Sequence, residues 1–145
     1  MVVFLASLGL LIAACVAVGK RYQSANSVFG GLATARDYYQ RACDLQSADS
    51  CWQVALISNS NDDLWDDILQ VRSADRACQG GVAAACTSLG KTWLMGLPGP
   101  IKYRYEQPKR GPADRARAER FFQIACEGHD AEGCTELAAL RGHEY

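Results

Sequence analysis

One spacing recurs three times in this chain and restricts its fold more than any other feature. "ACDLQSADSC" runs from Ala42 to Cys51, "ACQGGVAAAC" from Ala77 to Cys86, and "ACEGHDAEGC" from Ala125 to Cys134. Each is an alanine-cysteine pair, seven residues, and a second cysteine. On one straight helix, residues eight apart are separated by about 12 Å, whereas bonded cysteines need Cβ atoms about 3.5–4.5 Å apart. A bond within the frame therefore requires the chain to turn back between its two cysteines. Two antiparallel helices joined by a tight turn meet that requirement. Closing such a nine-residue loop is worth about 2.5 kcal/mol by the chain-entropy estimate.

Two other readings of the cysteines stay open at this level. Zinc sites favour pairs two to four residues apart, and this sequence has no C-x-x-C; His129 and His143 show no ligand spacing. Cysteines are also small apolar residues at helix contacts. Three frames with the same spacing favour a disulfide framework and an oxidising compartment. The pairs expected are Cys43 with Cys51, Cys78 with Cys86, and Cys126 with Cys134.

The seventh cysteine, Cys15, lies in "MVVFLASLGLLIAACVAVG", which carries no charge before Lys20. A run of this kind, residues 1–19, reads as a signal peptide, a lipoprotein signal or a membrane anchor. "IAAC" (Ile12 to Cys15) resembles a lipobox, which would make Cys15 a lipidation site. Lys20 and Arg21 after the run mildly favour a cytoplasmic C-terminal side. The spaced cysteines argue for export and outweigh them. The net charge of −1 points to no polyanionic partner.

Aligning the frames exposes a repeat. "YYQRAC", "SADRAC" and "FFQIAC" precede the first cysteines; "CWQVAL", "CTSLGK" and "CTELAA" begin at the second. From Cys43 to Cys78 is 35 residues, the length of helix–turn–helix solenoid repeats; from Cys78 to Cys126 is 48, a repeat plus an inserted loop. First helices are expected over Leu32 to Leu45, Asp62 to Gln79 and Pro112 to Glu127. Asn61 or Asp62 would cap the second, with Asp63, Asp66 and Asp67 favouring its N-terminal end, and Pro112 would open the third. Turn formers sit between the cysteines: Ser47-Ala48-Asp49, Gly80-Gly81 and Gly128-His129-Asp130. Glycine there suits a left-handed residue ending the first helix, and Asp49 or Asp130 suits a cap on the second.

"ERFFQIACEGHDAEGCTELAALRG", Glu119 to Gly142, resembles the cysteine-bearing Sel-like repeat, a relative of the tetratricopeptide repeat found in the Helicobacter cysteine-rich protein family of secreted bacterial proteins. The stretch from Asp63 to Gly96 keeps the frame and "LGKTWLMG". The first copy, from about Ala33, keeps its cysteines and Tyr38-Tyr39 but lacks the glycine pattern. The resemblance implies one bridge per repeat. It also implies an all-α fold: a short right-handed αα-hairpin solenoid of three repeats (33–60, 62–96 and 112–142, within a domain 33–145) behind the hydrophobic segment, with an insert loop at 97–111.

Family members are associated with penicillin binding or weak hydrolysis. "SLGK", Ser88 to Lys91, matches the Ser-x-x-Lys of serine β-lactamases, but no S-D-N or K-T-G accompanies it, and repeat packing explains the stretch. The acidic cluster Asp62, Asp63, Asp66 and Asp67 lacks calcium-loop spacing and reads as a solvated helix start. No catalytic residue, metal ligand or cofactor is expected. The irregular segment from Gly96 to Pro112 holds all four prolines and interleaves Lys102, Tyr103, Arg104 and Tyr105. It reads either as a stiffened spacer or as a partner-contact loop.

The expectation is an exported bacterial protein that is periplasmic, membrane-anchored or secreted. It would be a monomeric interaction scaffold for an unknown protein or peptide, touching membrane only through its N-terminal anchor or lipid and not binding nucleic acid. The alternatives are a weak β-lactamase, penicillin-binding or peptidoglycan-directed enzyme, implied by the family alone, and an assembly factor for redox or haem proteins.

Overall fold

In a computed structural model, residues 2–24, 31–60, 66–99 and 109–142 are described. They form α1 (Val2–Ser24), α2 (Gly31–Asp44), α3 (Ala48–Ser60), α4 (Asp67–Gln79), α5 (Ala83–Met95), α6 (Arg115–Glu127) and α7 (Ala131–Gly142), and no strand. The fold is all-α: αα-hairpin repeats behind an N-terminal apolar helix. The chain divides into two compact units, Met1–Gly80 and Gly81–Tyr145.

In the first unit α1 packs on α2, α2 on α3, and α3 on α4. Its core joins Ala35 and Tyr39 of α2 to Val54 and Ile57 of α3, with Val16, Leu32 and Leu69 against them. Ala35, Tyr39, Ala42 and Cys43 recur at four, seven and eight residues, which places them on one helical face. In the second unit α6 packs on α5 and α7. Ala118, Phe122 and Leu137 form its core, with Trp93, Leu94 and Leu140 alongside.

The alanine of each frame has a structural reason. Ala42, Ala77 and Ala125 are all 0% exposed. In the third frame a Cβ on Gly133 of α7 would come 2.6 Å from the Cβ of Ala125, so the hairpin helices approach closely there. A larger side chain at that alanine would overpack the contact.

Two helix starts differ from expectation. Asp66 caps α4, its carboxylate accepting the Leu69 N–H at 2.9 Å. The expected caps Asn61 and Asp62, with Asp63, lie outside the described residues. The third repeat's first helix starts at Arg115, not Pro112. Asp114 caps it by accepting the Arg117 N–H at 2.9 Å, and donates its own N–H to the Trp93 carbonyl, also at 2.9 Å. A side-chain acceptor at the cap outweighed proline's preset φ.

Candidate functional site

The hairpin turns are the positions where sequence, geometry and covalent chemistry meet. Cys43 and Cys51 are bonded with Cα atoms 4.6 Å apart, and Cys126 and Cys134 with Cα atoms 4.5 Å apart. Cys78 and Cys86 are disulfide-bonded as well. Each cysteine of the first and third frames therefore lies at a helix end, one closing the first helix and one opening the second.

The turns share one backbone device. Three residues after each first cysteine the chain turns left-handed: Gln46 (φ 75°), Gly81 (φ 97°) and His129 (φ 67°). After α2, the Ser47 N–H reaches the Ala42 carbonyl at 3.0 Å and the Gln46 N–H reaches Cys43 at 2.9 Å. After α6, Asp130 and His129 make the same bonds to Ala125 and Cys126, each 3.0 Å. This is the Schellman pattern, which satisfies the last carbonyls of the helix. The expectation that the glycines beside the cysteines supply the left-handed residue needs correction. Gly80 and Gly128 have φ of −84° and −80°, and of the described glycines in these hairpin turns Gly81 alone has a positive φ.

Gly80 and Gly128 have a different role. A Cβ on Gly80 would lie 2.3 Å from the Cβ of Ala48, and one on Gly128 would lie 2.9 Å from the Cβ of Ala83. In both cases the glycine two residues after a first cysteine meets the alanine that opens the second helix of the preceding repeat. The first frame has Leu45 at that position.

Polar contacts reinforce the same turns. Arg76 donates to the Asp44 carboxylate at 3.0 Å and to the Cys43 carbonyl at 2.8 Å. The Arg76 guanidinium holds the Asp44 carboxyl below the usual carboxylate range. Together with Gln46, Ala48, Gln79, Gly80 and the Cys43–Cys51 bridge, Arg76 lines a shallow depression of about 280 Å³. In the second unit Asp130 accepts the Gly133 N–H at 2.9 Å and the Thr87 hydroxyl at 2.6 Å, so it caps α7 and ties it to α5. Asp49 is instead an exposed first-turn residue of α3; Ser47 precedes that helix, its Oγ 2.8 Å from Ser50 Oγ.

The Ser-x-x-Lys pair is taken up by packing. Lys91 Nζ donates to Glu132 Oε1, and that hydrogen bond holds the Lys91 ammonium above the ordinary lysine range. The Lys91 ammonium is therefore engaged across the α5–α7 contact. The Ser88 carbonyl accepts the Thr92 hydroxyl at 3.0 Å in an ordinary helix contact. Lys102, Tyr103, Arg104 and Tyr105 lie outside the described residues. The neck of their loop is described. Pro98 and Arg110 form an antiparallel bridge, Gly99 donates to Lys109 at 2.9 Å, and Gly111 donates to Leu97 at 2.8 Å.

Cys15 is buried and unbonded in α1. Among the described residues, α1 is the helix long and apolar enough to cross a membrane, a property that signal sequences share. Its C-terminal half lies on α2. The Tyr39 hydroxyl donates to Gln23 Oε1 at 2.8 Å, and Tyr22 stacks on Tyr38 with ring centroids 6.1 Å apart. Burial pushes the Tyr39 phenol above its ordinary range.

No family model matches the chain. It is 30% identical over 98 residues to cytochrome c oxidase assembly factor 7A of Xenopus laevis, and 31% identical over 98 residues to cytochrome c oxidase assembly factor 7 of Xenopus tropicalis. Each alignment takes in 66% of this chain, and the chain spans 38% of each relative's length. In structure it is similar to Helicobacter pylori cysteine rich protein B, with a TM-score of 0.58 and 17% identity over 90% of this chain and 95% of that one. That likeness shows the shared helical-repeat fold. Residues 25–145 are only 121 of the 145, so a match over 90% takes in part of α1.

Proposed function

We propose that this chain is a disulfide-stapled repeat scaffold that binds a protein or peptide in an oxidising compartment of the cell envelope. The observation that carries this reading is the covalent closure of the first and third hairpin turns, with all six frame cysteines bonded. Disulfides persist where thiols are not kept reduced. The staples of the first and third frames each hold the ends of two short helices together and leave their outer faces for other contacts. Helical repeats of this kind present extended surfaces to polypeptides. The commitment of Lys91 to Glu132 argues against the β-lactamase alternative.

The test is cross-linking and capture from an envelope fraction, with the full chain as bait. A polypeptide retained by the oxidised protein and released on reduction is the expected result. Stoichiometric covalent labelling by a penicillin, lost in Ser88→Ala, would overturn this reading.

A second, narrower reading is an assembly factor for a redox or haem protein. The names of the two Xenopus relatives favour it, over the 98 residues that each shares with this chain. A captured polypeptide that is a subunit or maturation factor of a membrane oxidase would select this reading over a general scaffold.

A further inference from the structure

α1 contains more than an apolar segment. "AACVAVGK", Ala13 to Lys20, matches "AACTSLGK", Ala84 to Lys91, at Ala, Ala, Cys, Gly and Lys. The second stretch belongs to α5, the second helix of a repeat. The register agrees with the array, because Cys15 to Cys51 is 36 residues and Cys51 to Cys86 is 35. Burial agrees as well. Cys15, Cys51 and Cys86 are buried, and four residues further on so are Gly19, Ala55 and Gly90.

The packing repeats with the same register. A Cβ on Gly90 would lie 2.4 Å from the ring of Phe122, four residues before the first cysteine of the next frame. A Cβ on Gly19 would lie 3.1 Å from the ring of Tyr39, which is also four residues before a first cysteine. Ala55 and Ala74, both 1% exposed, stand at the same two positions between them. Glycine faces an aromatic ring in two cases, and alanine stands at both positions in the third.

We propose that the C-terminal half of α1, about residues 12–24, is the second helix of a further repeat. It is a half-repeat that covers α2 and is retained in the mature protein. Cys15 then occupies the slot of a second cysteine. Its frame partner, eight residues earlier, is Ser7, which has no thiol to offer, so Cys15 is unbonded for a reason of register. The half before it differs in character: Val3, Phe4, Leu5, Leu10 and Leu11 are exposed. Cleavage anywhere from the Val16–Ala17 bond to Ser24 would remove part or all of the cover over Tyr39, which is 2% exposed, and over the core beneath it.

Two measurements test this with the full chain. The first is the intact mass of protein recovered from membranes. Retention of residues 12–24 is expected, and a product beginning at Cys15 or later overturns the proposal. The second is the rate of maleimide labelling of Cys15 in detergent. Docking on α2 predicts native labelling roughly tenfold or more slower than in the unfolded chain. Gly19→Leu, which drives a side chain into the Tyr39 ring, should speed labelling, and adding Tyr39→Ala should slow it again. Gly9→Leu, where a Cβ meets nothing within 4 Å, should leave the rate unchanged. Should Gly19→Leu not accumulate, Gly19→Ala makes the same comparison with a smaller rise. Labelling that ignores the Gly19 substitutions would mean that detergent, not α2, shields the thiol, and would refute the half-repeat.

Discussion

A Cβ placed on Gly80 would lie 2.3 Å from the Cβ of Ala48, closer than real side chains approach. This contact joins the end of α4 to the start of α3, and the corresponding contact of Gly128 with Ala83 joins α6 to α5. Glycine at this position serves to let repeats approach. Gly80→Ala should therefore destabilise the first unit by about 1–3 kcal/mol, the usual range for overpacking. Ala48→Gly in the same chain should recover most of the loss. Urea unfolding of the single and double variants measures both effects.

The left-handed residues Gln46 and His129 behave differently. A side chain in that conformation costs roughly 1–2 kcal/mol, partly offset by the entropy that glycine loses on folding. Gln46→Gly and His129→Gly should each stabilise the protein by about 0.5–1 kcal/mol. Gly81→Ala, at φ 97°, should destabilise by a similar amount. Thermal melts of the three variants give the signs directly.

The Arg76–Asp44 pair gives a pH dependence. Asp44 titrates below its ordinary value in the folded chain, so the folded state holds fewer protons there than the unfolded one. The pair's contribution is fully present above the ordinary carboxylate range and is lost as pH falls through the lowered folded value. The two side chains are 35% and 60% exposed, so the effect should be small and weakened by salt. Asp44→Asn should flatten the acid limb of a stability–pH curve, most visibly at low ionic strength.

Lys91 shifts the other way. Its folded value is raised, chiefly by the hydrogen bond to Glu132, so its contribution is present below the ordinary lysine range and is lost as pH rises through the raised value. Lys91→Met should soften the alkaline limb and leave any reaction of the protein with a chromogenic β-lactam at its wild-type level. A rate that falls with Lys91→Met and with Ser88→Ala would show that the pair is catalytic.

Breaking one staple should cost about 2.5 kcal/mol, the chain-entropy value for a nine-residue loop. The paired variant Cys126→Ala, Cys134→Ala removes a bond without leaving a thiol behind. Chemical denaturation should show the loss at full size, because the Schellman turn alone does not close the loop covalently.

The frames made the hairpins legible, because seven residues between bonded cysteines admit few backbone paths. The helix ends were less so. Asp66 caps α4 where the upstream Asn61 or Asp62 was expected, and α6 starts behind the Asp114 cap and not at Pro112, since a cap is chosen by which side-chain acceptor reaches a free N–H, a matter of angle rather than composition. Two adjacent glycines in one turn hid which of them was left-handed. The split character of α1 was hidden most deeply. Its apolar composition satisfies a membrane and a repeat interface equally, and it is packing, such as the proximity of Gly19 to Tyr39, that separates its two halves.

The loop between α5 and α6 leaves and returns through a closed neck. Leu97 accepts from Gly111, Pro98 bridges to Arg110, and Gly96, at φ 88°, lies so close to the Gly111 carbonyl that a Cβ would come 2.0 Å from it. Asp114 then hands its N–H to Trp93, and α6 starts from that fixed point. Such a neck works as a socket. Whatever is inserted above it changes length and chemistry without altering the register of the helices below, so the 48-residue interval can vary independently of the 35-residue period. Among the described residues, this neck is what sets the start of α6 behind α5.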